Sequence, residues 1–243
     1  MKRSYLHAQH FLKSPRLVAE LIGHSNIRKN DLVLDLGAGT GVISSVLSRR
    51  ARRVVAVEIE AGALEQLRHN MKRFGNVEVV EQDLLAIVPP AEPYKIFSNI
   101  PFNLSAQVVR KFTTEDRPPK SIYLIVQKQF ARKLVPGDTH FTSELSAEIG
   151  PLWTVRVRKP LKKSDFTPPP AVDTVLLEIK RREEPLMPLR QMNEYSQWIE
   201  RCFAEQKYFV TLPLEKADVS RELRPSQLTL EQWLKLWSVV KSV

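Results

Sequence analysis

The chain has 243 residues, 43% of them hydrophobic and 26% charged, which predicts one or two folded domains rather than a disordered chain. The single cysteine, Cys202, excludes an internal disulfide and a cysteine-based zinc site, and no apolar run is long enough to predict a membrane span. The net charge of +10 favours a polyanionic partner such as nucleic acid, the alternative being a basic protein without one. We expect no metal. We also expect a cytoplasmic location, since the N-terminus lacks the features of a signal peptide.

Strands and helices alternate along the first half of the chain. Apolar runs predict strands at 31–36, 53–60, 77–85, 94–102 and 121–127, and helical spacing predicts helices at 41–51, 62–74, 105–114 and 128–135. This alternation predicts βαβ units, and therefore an α/β fold with a parallel sheet covered on both faces.

The pattern changes towards the C-terminus. Prolines at 168–170 exclude a central strand or helix there, and the following run "VDTVLLEI" predicts a late strand, as one half of a hairpin. Helical spacing at 191–206 and 228–240 predicts a separate small helical domain. We therefore predict a larger domain over residues 1–181 and a small helical domain over residues 182–243.

The stretch "DLGAGTG" (35–41) predicts a ligand-binding loop between the first strand and its helix. Gly37 and Gly39 allow the backbone to approach a ligand, although glycines can also merely form a turn. The dinucleotide fingerprint is G-x-G-x-x-G, whereas here the spacing is G-x-G-x-G, preceded by Asp35, whose carboxylate suits an ammonium group better than a pyrophosphate. Glu58 can accept ribose hydroxyls and Asp83 an adenine amino group, each from the end of its strand. The set favours S-adenosylmethionine over a dinucleotide.

The stretch "SNIPFN" (98–103) predicts a clamp for a planar nitrogen base. The side-chain oxygen of Asn99 and the backbone carbonyl of Ile100 can accept the two N–H bonds of an exocyclic amino group. Pro101 restricts Ile100 to an extended conformation, and Phe102 offers a face on which an unstacked base can lie. The alternative is an ordinary turn with a buried ring.

Taken together, these motifs resemble the rRNA adenine N6-methyltransferases, and within them the erythromycin-resistance (Erm) branch. The resemblance covers most of the chain and rests on "QHFL" (9–12), "DLGAGTG", "VEIE", "QDLL", "YKIFSNIPFNLS", "SIYLIVQKQFARKL" and "FTPPPAVDTVLLEI". It implies that the first domain is a Rossmann-like, seven-stranded, S-adenosylmethionine-binding catalytic domain and that the small C-terminal helical domain is RNA-associated. It also implies a monomer that methylates N6 of an adenosine in 23S rRNA before subunit assembly and so confers macrolide, lincosamide and streptogramin B resistance.

The resemblance also implies roles for individual residues. Residues that match the family's cofactor contacts are Gln9, His10, Leu12, Gly37, Glu58, Ile59, Asp83, Leu84 and Asn99. Phe166 would cover the face of the target adenine opposite Phe102, the alternative being a core residue. His10 stands where the family usually has Asn, and Phe102 where Tyr is commoner.

Cations beside these motifs are candidates for RNA contact. They are Arg110 on the helix after the clamp and Lys128, Arg132 and Lys133 in "KQFARK", and a solvated face is the alternative. Two other functions remain open: dimethylation of small-subunit rRNA, and RNA binding without catalysis. An intact clamp and intact cofactor acids argue against the second.

Overall fold

The computed structural model describes residues 10–135 and 142–242. Its elements in chain order are β1 (Phe11–Leu12), α1 (Pro15–Gly23), β2 (Leu32–Leu36), α2 (Val42–Leu47), β3 (Arg53–Glu58), α3 (Ala61–Met71), β4 (Val77–Glu81), β5 (Tyr94–Ser98), α4 (Ser105–Thr114), β6 (Ser121–Gln127), α5 (Lys128–Leu134), α6 (Glu144–Ile149), β7 (Trp153–Leu161), β8 (Phe166–Thr167), β9 (Thr174–Arg181), α7 (Met192–Ala204), α8 (Gln206–Thr211) and α9 (Leu230–Lys241). Within the described ranges, no helix is long and apolar enough to cross a membrane.

Seven strands form the main sheet, in the order β4-β3-β2-β5-β6-β9-β7. The strands from β2 to β6 run parallel to one another, and β9 is antiparallel to β6. The predicted α/β class and seven-stranded sheet are confirmed. The predicted late strand is β9, which lies between β6 and β7 in the sheet.

The central strands are buried on both faces, which explains why their sequences are continuously apolar rather than alternating. Every residue of β2 and β5 is buried, as are the first six of β6. Helices α1 and α2 contribute to one core cluster, in which Val18, Leu21 and Leu47 join Phe97 of β5. Helix α1 was not predicted, although Ser14 caps its N-terminus and Pro15 occupies its first turn, both recognised start signals.

The parallel register brings the carboxyl ends of β2, β3, β4 and β5 to one edge of the sheet. Leu36 lies opposite Val57, and Glu58 lies opposite Glu81. The loops that follow these strands therefore meet there, at the edge where ligands bind in open α/β sheets. A separate two-stranded sheet pairs β1 antiparallel with β8, through Phe11 with Thr167 and Leu12 with Phe166.

The chain divides into two compact units. The first comprises residues 1–131 and 156–180, and the second residues 132–155 and 181–243. The second unit thus contains a segment, 132–155, that lies before the predicted boundary in the chain. Its core includes Tyr195, Trp198, Trp233 and Trp237, all buried.

Candidate active site

A cavity of about 530 Å³ lies at the carboxyl edge of the parallel strands. It is bounded by the loops after β2, β3, β4 and β5 and by the segment around β1. Its lining contains His10, Phe11, Leu12, Gly37, Ala38, Gly39, Thr40, Val42, Ile43, Val57, Glu58, Ile59, Glu60, Ala61, Gln82, Asp83, Leu84, Asn99, Ile100, Pro101 and Leu104. Most of the predicted cofactor residues therefore come together, while Gln9 lies outside the described residues.

The glycine loop has a backbone conformation that other residues rarely adopt. Gly37 has φ +65° and Gly39 has φ +54°. A Cβ atom on Gly39 would lie 3.0 Å from the ring of Phe11, and one on Gly41 would lie 2.7 Å from Leu67 of α3. Gly39 therefore lies close to Phe11 of β1, and Gly41, at the start of α2, lies close to Leu67 of α3.

The carboxylate of Glu58 is held rigidly in the cavity wall. Its Oε2 accepts from the backbone N–H of Gly39 at 2.7 Å, and its Oε1 accepts from the N–H groups of Ile59 and Glu60, each at 2.9 Å. Each carboxylate oxygen has about two acceptor sites, so Oε1 is fully used by these two N–H groups and Oε2 can still receive a hydrogen bond from a ligand hydroxyl. The side chain thus offers a fixed acceptor at the end of β3.

The loops after β3 and β4 form a slot with apolar walls and a polar end. Ile59 is 61% exposed although it is aliphatic, and Leu84 is buried in the cavity wall. Asp83 is exposed, and one of its oxygens accepts from the N–H of Leu85 at 2.8 Å, which orients the carboxylate. An exposed aliphatic side chain beside an oriented acceptor suits a flat heteroaromatic ring with an amino group.

Asp35 does not occupy the position predicted for it. Its carboxyl is buried and absent from the cavity lining, Oδ2 accepts from the Ser44 hydroxyl at 2.6 Å, and Oδ1 has no partner among the described residues. Burial raises the pKa of this carboxyl from 3.8 to about 7; the Ser44 hydrogen bond opposes the rise and the charge of Glu58 adds to it. The predicted direct contact with a ligand ammonium is therefore corrected: the Asp35 carboxyl is buried and hydrogen-bonds to Ser44 of α2.

Three of the four clamp residues line the cavity. Asn99, Ile100 and Pro101 do so, and Asn99 donates its Nδ2 to the backbone carbonyl of His10 at 2.6 Å. The other side-chain atom, Oδ1, is buried and has no hydrogen-bond partner in the described part of the chain. Buried acceptors are rarely left unpaired, so this oxygen is a candidate to receive a ligand N–H.

Phe102 lies beside the cavity rather than in its wall. The ring of His10, which does line the cavity, stacks on Phe102 with 5.5 Å between centroids and 27° between planes. One face of Phe102 is therefore covered by an aromatic side chain of the same protein.

Phe166 is not available to cover a base. It is fully buried and belongs to the core cluster that also contains Val18 and Leu176. The prediction of a stacking surface is wrong in this structure, because the pairing of β8 with β1 turns this ring into the core. The core alternative is the one observed.

The predicted RNA-contacting cations are exposed. Arg110 lies on α4, and Lys128, Arg132 and Lys133 lie on α5, within which the division between the two units falls. The ammonium of Lys128 is 3.9 Å from Asp173, a weak surface pair.

Sequence reasoning did not single out several residues of the cavity, Phe11 and Gln82 among them. Phe11 belongs to a strand of two residues, too short for a periodic pattern, so nothing local indicates its role. Gln82 directly precedes Asp83, and its position beside a predicted ligand acid was a signal that could have found it.

The glycine loop, the anchored acid after β3, the second acid after β4 and the Asn-x-Pro-aromatic segment after β5 define this as a Rossmann-like methyltransferase fold. The chain belongs to the ribosomal RNA adenine dimethylase family, whose model matches residues 2–224. The family resemblance of the sequence motifs is confirmed.

Two relatives and one solved structure illustrate the similarity. An rRNA adenine N-6-methyltransferase of Saccharopolyspora erythraea is 28% identical in an alignment of 242 positions that covers 94% of this chain and 63% of that protein. The mitochondrial ribosomal RNA small subunit methyltransferase of Arabidopsis thaliana is 30% identical over 203 residues, 82% of this chain and 52% of that protein. The crystal structure of the 23S rRNA methyltransferase ErmE superposes with a TM-score of 0.81 at 27% identity, over 95% of this chain and 99% of that one.

Proposed function

We propose that this protein is an S-adenosylmethionine-dependent methyltransferase that modifies N6 of an adenosine in the peptidyl-transferase region of 23S rRNA. The observation that carries the proposal is the buried, unpartnered Oδ1 of Asn99 at the edge of the cavity. An amino group with two N–H bonds is the natural partner for that oxygen together with the nearby carbonyl of Ile100. The product would confer macrolide, lincosamide and streptogramin B resistance.

The residues of the cavity fit the cofactor. The free acceptor site on Oε2 of the fixed Glu58 carboxylate suits a ribose hydroxyl, and the slot formed by Ile59, Asp83 and Leu84 suits the adenine ring. The positive φ angles of Gly37 and Gly39 let the backbone approach the methionine part without a Cβ in between. When bound, S-adenosylmethionine supplies an electrophilic methyl group.

The clamp acts on the nucleophile. The lone pair of an adenine amino group is delocalised into the ring, and two acceptors on its N–H bonds favour a pyramidal nitrogen with a localised lone pair. Asn99 Oδ1 and the Ile100 carbonyl are those acceptors, and the proline that follows restricts Ile100 to an extended conformation. The four clamp residues have no titratable side chain, so positioning rather than proton abstraction accounts for much of the rate.

The charge of the chain suits an RNA substrate held by its phosphates. The first unit contains 25 Lys and Arg against 15 Asp and Glu, whereas the second contains 12 of each. The full excess of +10 therefore belongs to the unit with the cavity, which supports phosphate contacts around a base that must leave its stack. Arg110 and Lys128 are exposed cations of that unit, and we propose Arg132 and Lys133 as further RNA contacts.

Similarity to a 23S rRNA methyltransferase supports the large-subunit target, and we propose that a monomer acts on that RNA before assembly. Methylation of small-subunit rRNA is the second candidate, since the Arabidopsis relative has that name. Binding of RNA without catalysis would leave the anchored Glu58 and the free Asn99 oxygen without a role.

The test is methyl transfer from labelled S-adenosylmethionine to naked 23S rRNA, naked 16S rRNA and both assembled subunits, with reverse-transcription stops to locate the product. We expect a stop in the peptidyl-transferase loop of naked 23S rRNA. Asn99→Ala should abolish it, and Asn103→Ala, the same change at an exposed position of the same segment, should not. A stop in 16S rRNA alone would favour methylation of small-subunit rRNA. RNA binding with no methylated product would favour a protein that binds RNA without catalysis.

A further inference from the structure

The segment before α1 is fastened beside the clamp by the short sheet of β1 and β8. Leu12 pairs with Phe166, and the N–H of Lys13 donates to the carbonyl of Asp165 at 3.0 Å. Residue 10, which directly precedes β1, is thereby placed between the clamp and the proline run that begins at residue 168.

His10 makes three contacts from this position. Its backbone carbonyl accepts from Asn99 Nδ2 at 2.6 Å, its ring stacks on Phe102, and its Nδ1 lies 2.8 Å from the carbonyl oxygen of Pro168. A carbonyl oxygen only accepts, so Nδ1 must be the donor in that bond. The ring is thus fixed by a stack and by a hydrogen bond, and it fixes the carbonyl of its own residue.

That carbonyl determines which atom of the Asn99 amide is free. An amide side chain can be turned so that either its oxygen or its nitrogen faces a ligand. Since Nδ2 is engaged by His10, Oδ1 is the atom left without a partner. The opposite orientation would place two oxygens together and present a donor to the amino group of the substrate.

We propose that His10 is a positioning residue of the clamp: its ring, held by Phe102 and by the Pro168 carbonyl, fixes the backbone carbonyl that orients the Asn99 amide. The proposal rests on the proposed function in treating the clamp as the site of the target base. It assigns to the imidazole a role separate from cofactor contact.

Three substitutions separate the contributions of the ring. His10→Ala removes both ring contacts, His10→Phe keeps an aromatic ring without the donor, and His10→Asn keeps a donor without the ring. We expect kcat for RNA methylation to fall about tenfold to a hundredfold in His10→Ala, with smaller losses in the other two. The affinity for S-adenosylhomocysteine, measured by calorimetry, should stay within about twofold of wild type. His69→Ala, the same change at an exposed position of α3, is the matched control and should behave as wild type.

A second measurement does not depend on activity. In ¹⁵N-labelled full-length protein, the side-chain NH₂ signals of Asn99 are assigned from their absence in Asn99→Ala, and their hydrogen exchange with solvent is measured. We expect exchange about threefold to tenfold faster in His10→Ala than in wild type, the factor corresponding to one hydrogen bond. Thermal melting verifies that each variant is folded. If His10→Ala does not fold, His10→Phe is compared with wild type instead.

The outcomes separate this inference from the proposed function. Unchanged amide exchange in a folded His10→Ala or His10→Phe protein overturns the positioning role. A loss of activity that arises only from weaker cofactor binding, or only from a raised KM for RNA, also overturns it. If wild-type protein methylates no RNA, the proposed function fails, while the exchange measurement still decides whether His10 orients Asn99.

Discussion

Replacing Asp35 by Asn should change how the stability of the protein depends on pH. The carboxyl of Asp35 is buried, and it accepts a hydrogen bond from the Ser44 hydroxyl at 2.6 Å. Burial is the largest cause of a pKa of about 7 in the folded protein, against 3.8 ordinarily. Asn has a similar shape and can accept the same hydrogen bond, but it does not titrate.

The sign of the effect follows from which state keeps the proton. Between about pH 4 and pH 7 the unfolded chain has released the Asp35 proton and the folded protein still holds it, so the free energy of unfolding falls as pH rises. The contribution is complete below the ordinary pKa of 3.8 and is lost as pH rises to about 7. At about 1.4 kcal/mol per pH unit, wild type should lose roughly 2 to 3 kcal/mol between pH 5 and pH 8 through this group.

The assay is urea unfolding of wild type, Asp35→Asn and Asp116→Asn at pH values from about 5 to 8. Asp116 is exposed and provides the matched control. The advantage of Asp35→Asn over wild type should grow by roughly 2 to 3 kcal/mol over this range, whereas Asp116→Asn should run parallel to wild type. A constant difference between Asp35→Asn and wild type would contradict this prediction, because it would mean that Asp35 has the same protonation state in the folded and the unfolded chain over this pH range.

Three further predictions concern packing and RNA contact. Gly41→Ala should reduce the free energy of unfolding by roughly 1 to 3 kcal/mol, because φ is +91° and the new Cβ would lie 2.7 Å from Leu67. Gly75→Ala is the control, because a Cβ there meets no atom within 4 Å. Equal urea midpoints for the two variants would contradict the prediction. Phe166→Ala should reduce the free energy of unfolding by roughly 3 to 5 kcal/mol, because the ring is fully buried; native stability combined with a raised KM for RNA would instead restore the stacking role. Lys128→Ala should reduce the slope of log affinity against log salt by about 1 in filter binding to 23S rRNA fragments, and an unchanged slope would mean that Lys128 touches no phosphate.

The main sheet, and the edge at which the cavity lies, could be predicted from the sequence alone. Continuous apolar runs predict strands buried on both faces, and parallel strands necessarily place their carboxyl ends together. Glu58, Asp83 and Asn99 each follow such a strand, so their convergence could be predicted without any knowledge of side-chain packing. Glycine spacing likewise predicted a glycine loop after the first strand, and Gly37 and Gly39 adopt positive φ angles there that other residues rarely adopt.

The contacts that hold the site residues in place join segments that are distant in the sequence, so they could not be predicted from it. The His10 ring meets a carbonyl 158 residues away, and its own carbonyl meets an amide 89 residues away, so no local pattern encodes either contact. The burial of Phe166 depends on a pairing between β1 and β8, two strands of two residues each, which are too short to have a periodicity. Asp35 lies in a motif that predicted a ligand contact, yet its carboxyl is buried and accepts a hydrogen bond from Ser44 of the following helix. Motif residues can thus be assigned to an edge of the sheet from sequence, whereas their direction into the cavity or the core is set by contacts between distant segments.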